Sequence, residues 1–323
     1  MAIPPVPNHA PVAHFDRIGR RVLLFFIDGI GVGTDDPARN PLATGEFPTL
    51  RLTESLRPDA RVGPPRIAWG LDAAMGVPGL PQSATGQTSI LTGINAPKAM
   101  GHHVSGFPGP TLRRIIMEHS LLKQVRERGL SATFLNAFRP EYFEMPYAHR
   151  RLSATSLATL ASGARFRSWE DLLEGRAVTH DLTHWRMRER GYELPERTPE
   201  EAGAIIAEEA MQNDFSLFEY FETDRAGHAQ DRPRAMRCLA DLDRALQTVL
   251  SRVDLDRLCV LIVSDHGNLE DGALSTHTAN PAIFAMWGPP GDPASTPPRR
   301  LTDLAPLALR ALGIEPESLT SAS

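Results

Sequence analysis

The chain is poor in sulfur ligands: its 323 residues include two cysteines, Cys238 and Cys259. Two thiols build neither a disulfide framework nor a thiolate metal cluster, so any metal must be held by histidines and carboxylates. Both cysteines fall in apolar contexts, a helix face and a strand, and read as inert core. Long apolar runs are missing too. Val22-Leu23-Leu24-Phe25-Phe26-Ile27 is closed at once by Asp28-Gly29, far short of the roughly 20 residues a membrane span needs. The segment before it lacks both a long apolar stretch and a small-residue cleavage site, so the cytoplasm is the expected location. Positive charge is not in excess. The 34 Lys and Arg face 39 Asp and Glu, for a net charge of −5, which argues against a nucleic-acid partner. No repeat period appears. What remains is ordinary globular composition, with 41% hydrophobic and 23% charged residues.

The order of elements follows from periodicity and punctuation. Residues 1–18 hold several prolines and no period, and read as a loosely attached arm. Short β-branched and aromatic runs predict strands over 21–27, 66–71, 131–136, 215–222, 258–263 and 282–287. Helices are expected over 48–56, 83–94, 112–128, 200–212, 233–252 and 301–312. This alternation is that of a mostly parallel sheet covered by helices. Residues 139–198 break the rhythm with Arg, His and aromatic residues, and read as a small lid inserted between two core segments, 19–138 and 199–323.

Chemistry collects at the expected strand ends. Asp28 follows the first strand, Asp224 with His228 four positions on follows another, and Asp265-His266 follows a third. His277 stands just before the last strand. Ligands of open parallel sheets sit at the carboxyl ends of the strands. Any one of these residues alone is as consistent with a cap or a turn; their repetition at equivalent ends points to a metal site. A hydroxyl-rich helix start, Ser83-Ala84-Thr85-Gly86-Gln87-Thr88-Ser89, offers a nucleophile beside helix N–H groups that favour phosphate. Spacing does not choose among its hydroxyls. His180 and His184 have no general-base Glu between them and give no separate zinc site.

Four blocks in order resemble the alkaline phosphatase superfamily: Phe26-Ile27-Asp28-Gly29, Ser83-Ala84-Thr85-Gly86, Thr223-Asp224-Arg225-Ala226-Gly227-His228, and Ser264-Asp265-His266-Gly267-Asn268 with His277-Thr278-Ala279-Asn280-Pro281. The chain is most similar to the metalloenzyme branch of cofactor-independent phosphoglycerate mutase and phosphopentomutase. The resemblance implies an alkaline-phosphatase-like three-layer α/β sandwich with a small lid. It implies Ser83 as nucleophile, because the family's hydroxyl stands three residues before a glycine. It implies one metal on Asp28, Ser83, Asp265 and His266 and a second on Asp224, His228 and His277. Two divalent ions, Mn²⁺ or Zn²⁺, suit three Asp, three His and a hydroxyl. Gln87 departs from the histidine both mutases carry there, and 139–198 is far smaller than the mutase substrate domain.

The implied activity is phosphoryl transfer from a small-molecule phosphate ester through a phosphoserine. The short lid favours hydrolysis of a monoester or diester over an intramolecular phosphomutase, which must exclude water. A non-catalytic module on the same fold would leave gaps among the ligands, and all seven positions are filled. Substrate contacts are expected from His102, His103, Arg139, His149, Arg150 and Arg151; the oligomeric state is not legible. Asp265→Asn should remove a metal ion and the activity while leaving the circular dichroism spectrum unchanged. Two ions and full rate in that variant would refute the ligand assignment.

Overall fold

The structure, a computed structural model, describes residues 20–53, 67–145, 151–289 and 297–316. The expected arm 1–18 and the candidate contacts His149 and Arg150 lie outside the described residues. The strands are β1 (Arg21–Ile27), β2 (Ile67–Leu71), β3 (Ala132–Phe134), β4 (Phe215–Tyr220), β5 (Leu258–Val263) and β6 (Ala282–Trp287). The helices are α1 (Ser83–Thr92), α2 (Ala96–Met100), α3 (Pro110–His119), α4 (Leu121–Glu127), α5 (Pro140–Glu144), α6 (Ala154–Ser162), α7 (Trp169–Leu173), α8 (Trp185–Glu189), α9 (Pro199–Gln212), α10 (Glu222–His228), α11 (Arg232–Arg252) and α12 (Leu304–Ala311).

One sheet carries the strands in the order β2-β6-β5-β1-β4-β3. β1 is central and runs parallel to β4 and β5, and β3 is parallel to β4. β6 is antiparallel to both β5 and β2. β1 explains its own apolar run. Val22, Leu24 and Phe26 enter the core on one face, with Ile90, Ile116, Val125, Leu157 and Leu304 from α1, α3, α4, α6 and α12. Leu23, Phe25 and Ile27 enter the core on the other, with Ile206 of α9 and Leu239, Leu242 and Leu246 of α11. A strand covered on both faces reads as continuous rather than alternating hydrophobicity. The result is a three-layer α/β/α sandwich. The two helices of the second face start on caps written in the sequence. Thr198 and Glu201 form a capping box around Pro199, and Asp231 accepts the amide of Arg234.

Several expected elements differ. The described part of 48–56 is turn and extended chain, not helix, because the amides of Thr49 and Leu50 donate to the Asp243 carboxylate at 2.7 and 3.2 Å. The helix expected over 112–128 is two helices broken at Ser120, which takes an extended conformation (φ −62°, ψ 141°) between them. The strand expected over 215–222 stops at Tyr220, and Glu222 opens α10 instead. The last helix begins with a 3₁₀ turn, Leu301–Asp303. Within 139–198, α6 buries Leu157 and Ala158 in the main core, whereas Leu172, Met187 and Leu194 form a small cluster of their own with Trp169 and Tyr192.

Glu222 anchors α10 to its surroundings. Its buried carboxylate pairs with His180 (3.2 Å), Arg225 (2.8 Å) and Arg234. Burial alone would raise its pKa, but the hydrogen bond from His180 and the Arg225 and Arg234 charges outweigh burial and hold it at about 2, below the ordinary 4.5. A depressed carboxylate stabilises the fold fully above about pH 4.5 and loses that contribution as the pH falls toward 2. Glu222→Gln should therefore cost about 3 kcal/mol at pH 7. Urea unfolding of both proteins should show that gap closing as the pH is lowered from 4.5 toward 2. A gap independent of pH would refute this account.

Candidate active site

Because β1, β4 and β5 are adjacent and parallel, their carboxyl ends lie at one edge of the sheet. Asp28 follows β1 directly, Asp265 and His266 follow β5, and Asp224 sits in the first turn of α10 just beyond β4. Asp224 and His228 are one helical turn apart and share a face. The antiparallel β6 must start where β5 ends, so the connection returns His277 to the same edge.

The donor atoms fall into two overlapping groups. One ligand atom each from Asp224, His228 and His277 lie within 4.8 Å of one another, and so do those of Asp28, Asp224 and His266. Asp224 takes part in both. Its carboxylate is 3.4 Å from His228 Nε2 and 3.6 Å from His277 Nε2. His266 Nε2 stands 3.3 Å from Asp28 and 3.5 Å from Asp265. The other ring nitrogens are tied down: His228 Nδ1 to the Ser275 carbonyl (2.9 Å) and His277 Nδ1 to the Pro81 carbonyl (2.8 Å). Such bonds fix the ring and leave Nε2 facing the site.

Two buried carboxyl groups, Asp28 and Asp265, and a half-buried one, Asp224, repel one another. Burial and the Asp28 charge raise the pKa of Asp224 and push that of Asp265 well up. His266 supplies the internal countercharge. Burial would lower its pKa, but Asp265, Asp28 and Asp224 outweigh burial and push it up to about 10. Its ring stacks on His277 at 3.6 Å between centroids, and burial with the nearby His266 charge lowers His277 to about 4.

Ser83 is the first residue of α1, and the preceding Gln82 makes no side-chain cap. The Ser83 hydroxyl is thus not spent on the helix end; its Oγ lies 3.0 Å from His266 Nε2. The neighbouring hydroxyls are spent. Thr85 donates to the Gln82 carbonyl, Thr88 to the Ala84 carbonyl and Ser89 to the Thr85 carbonyl. The glycine three residues on has a packing reason. A Cβ on Gly86 would stand 2.9 Å from both the Asp265 Cβ and the Asp265 carbonyl oxygen. Gly29 has φ +72°, and a Cβ there would meet Asp224 at 2.7 Å.

Further residues join the site that the motif reading left without a role. Gln87 Nε2 donates to Asp28 (3.2 Å) and Asp265 (3.3 Å), bridging two carboxylates. Asn268 Nδ2 donates to Asp224 at 2.7 Å. Glu270, fully buried, accepts from the Gly31 and Asn268 amides and from Asn280 Nδ2, and so ties the loop after β5 to the loop after β1. A cavity of about 430 Å³ opens beside Asp28, Ser83 and Asp224. Arg139 and Arg151 line it as expected from the sequence, joined by Arg190 and Arg225. His102 and His103 are not among its lining residues; His103 Nε2 lies 3.2 Å from the Val77 carbonyl. Arg190 and Arg225 escaped notice because an arginine in a helical stretch reads as a solvated charge. His184 Nδ1 faces the Pro195 carbonyl at 2.9 Å, His180 pairs with Glu222, and the two make no metal group among the described residues.

Residues 190–316 match the family model of the Metalloenzyme superfamily, a stretch that holds Asp224, His228, Asp265, His266 and His277. Among curated proteins, the chain is 31% identical over 139 residues to the 2,3-bisphosphoglycerate-independent phosphoglycerate mutase of Roseobacter denitrificans, covering 40% of this chain and 27% of that protein. It is 29% identical over 143 residues to the enzyme of the same name from Paracoccus denitrificans, covering 41% of this chain and 28% of that protein. The chain thus spans less than a third of the length of these relatives. Two solved structures share the fold. The PH0037 protein from Pyrococcus horikoshii aligns with a TM-score of 0.54 at 15% identity, over 91% of this chain and 97% of that one. Alkaline phosphatase from the Antarctic bacterium TAB5 aligns with a TM-score of 0.51 at 11% identity, over 92% and 99%. The resemblance to the alkaline phosphatase superfamily, and the fold it implied, are borne out.

The contact at Gly86 gives a test of the site's construction. Gly86→Ala should lift α1 from Asp265 and cost about 1–3 kcal/mol, the usual range for overpacking. Thermal unfolding would measure the loss. A variant as stable as the parent would show that α1 does not rest on Asp265.

Proposed function

We propose that this chain is a metal-dependent phosphoryl-transfer enzyme that acts on a small-molecule phosphate ester through a phosphoserine on Ser83. The observation that carries this reading is the Ser83 hydroxyl, unspent at a helix start and 3.0 Å from His266 within the donor cluster. The donor set fits divalent ions. Asp28 Oδ1 is buried and accepts no hydrogen bond among the described residues, and the crowded carboxylates call for positive charge. Asp28, Ser83, Asp265 and His266 would hold one ion, and Asp224, His228 and His277 a second, as Mn²⁺ or Zn²⁺. Such ions, when bound, supply Lewis acidity that lowers the pKa of a coordinated hydroxyl and screens phosphoryl oxygens.

The remaining chemistry falls to side chains and backbone. A helix N-terminus favours phosphate, and at the start of α1, where the Thr85 amide is spent on the Val104 carbonyl, the Ser83 and Ala84 amides would meet it. Ser83 Oγ forms a bond to phosphorus as the ester P–O bond breaks; the hydroxyl proton passes to solvent, and the departing oxygen takes one from solvent. An acceptor hydroxyl then attacks the phosphoserine and releases Ser83. Gln87 and Asn268 hold Asp28, Asp265 and Asp224 in place throughout by donating to their carboxylates.

Water is the acceptor this site favours. The cavity is walled in part by exposed arginines, Arg139, Arg151 and Arg190, and the His228 side chain is 45% exposed. A second reading, an intramolecular phosphomutase, is favoured by the names of the curated relatives. Protein loaded with Mn²⁺ or Zn²⁺ should release free phosphate from phosphomonoesters, and Ser83→Ala should lower kcat at least 1,000-fold, about 4 kcal/mol of barrier, while still binding metal. Isomerisation of a sugar phosphate without phosphate release would make it a mutase. Undiminished turnover by Ser83→Ala would remove the phosphoserine.

A further inference from the structure

The cavity beside Ser83 holds more positive charge than one phosphate requires. Besides the metal-type donors it is lined by Arg139, Arg151, Arg190 and Arg225. On the proposed reading the transferred phosphate is met by bound cations and the α1 N-terminus, so these arginines face something else. Their countercharges are few. Glu222 is shared among His180, Arg225 and Arg234. Glu219, also lining the cavity, accepts from Thr155 at 2.7 Å and is pushed up to about 7 by burial, so near neutrality it carries only part of a charge. The Arg190 side chain makes no hydrogen bond or ion pair among the described residues, its backbone amide alone being bonded, to the Met187 carbonyl; partial burial, then repulsion from Arg225, Arg139 and Arg186, lowers its pKa.

The same cavity is flat-walled. The Arg151 guanidinium lies 5.9 Å over Phe107, which is 50% exposed. The Arg225 guanidinium lies 4.6 Å over Phe221, and the His180 ring stacks on Phe221 at 4.3 Å and 10°. Arg139 donates to the Tyr192 hydroxyl at 3.0 Å, and Tyr192 packs on Trp169 of the cavity wall. Thr179 also lines the cavity; its Oγ1 is buried and has no hydrogen-bond partner among the described residues. Rings and guanidinium planes stack on a flat π-system, the remaining guanidinium N–H groups donate to phosphate oxygens, and an unpaired hydroxyl can bond a polar edge.

Building on the phosphoryl-transfer reading, we infer that the substrate joins a planar heteroaromatic ring to two phosphates, as a nucleoside diphosphate does. One phosphate sits at Ser83, the second at Arg139, Arg190 and Arg225, and the ring between the aromatic walls. With ADP, Ser83 Oγ bonds to the terminal phosphorus, AMP departs with the electron pair of the broken P–O bond, and water later frees phosphate from Ser83. ADP-ribose offers the same ring and diphosphate as a diester.

Calorimetry on metal-loaded full-length Ser83→Ala separates binding from turnover. ADP or ADP-ribose should bind at least tenfold more tightly than AMP, pyrophosphate, glycerol phosphate or 3-phosphoglycerate. Adding Arg190→Gln should weaken ADP at least tenfold and leave glycerol phosphate unchanged. A preference for ADP over ADP-ribose, or the reverse, tells a monoester from a diester and supports the inference either way. Pyrophosphate binding as well as ADP would remove the ring. Equal binding of ADP and glycerol phosphate, or tighter binding of 3-phosphoglycerate, would overturn the inference. Hydrolysis of 4-nitrophenyl phosphate by the parent protein, run alongside, reports on the phosphoryl-transfer reading by itself. If that ester is cleaved while ADP fails to bind preferentially, only the inference fails; if no ester is cleaved, the broader reading fails whatever ADP does.

Discussion

Three carboxyl groups held close together, two of them buried and the third half-buried, are the constraint around which this molecule is arranged. Asp28, Asp224 and Asp265 are brought to one edge because their strands are neighbours, and their repulsion must be met on the spot. The protein meets it with a buried imidazolium, His266, and with amide donors, Gln87 and Asn268, aimed at the same oxygens. Side-chain N–H groups soften the crowding without neutralising it. A site so built retains a standing affinity for positive charge, which is the physical basis for reading it as a metal centre.

Rigidity around the cluster comes from places where nothing fits. α1 rests on Asp265 with no room for a side chain at Gly86, and the β1 turn rests on Asp224 with none at Gly29. Glu270 ties the loops after β1 and β5 through backbone amides. The Ser83 hydroxyl is therefore placed by backbone contact rather than by its own rotamer alone. That explains how a partly exposed serine can face a buried histidine at 3.0 Å.

Much of this is legible in the sequence. Strands buried on both faces announce themselves as continuous apolar runs, and an aspartate after such a run can be placed at the sheet edge without knowing the pairing. The helix expected over 48–56 was misread because its amides are satisfied from afar by Asp243, a bond between residues 194 positions apart that no local pattern encodes. The break at Ser120 was hidden because the apolar period runs through it. The free hydroxyl among Ser83, Thr85, Thr88 and Ser89 emerged only from the hydrogen bonds that consume the others. Arg190 and Arg225 were invisible for a different reason. Whether an arginine faces solvent or a cavity depends on the fold of 139–198, where local pattern is weakest.

The position of β1 has a consequence for how the chain acquires its site. Asp224 follows β4 and Asp265 follows β5, yet these two strands never touch, because β1 lies between them. The five donors of the C-terminal half (Asp265, His266 and His277 on one side, Asp224 and His228 on the other) therefore cannot assemble from that half alone. They wait for a strand some 190 residues upstream to be threaded into the gap, a closure of long sequence separation that forms slowly. Assembly of the donor set thus requires this long-range pairing. The same strand that supplies Asp28 also sets the spacing of all the others, so the centre of the sheet acts as the ruler for the site.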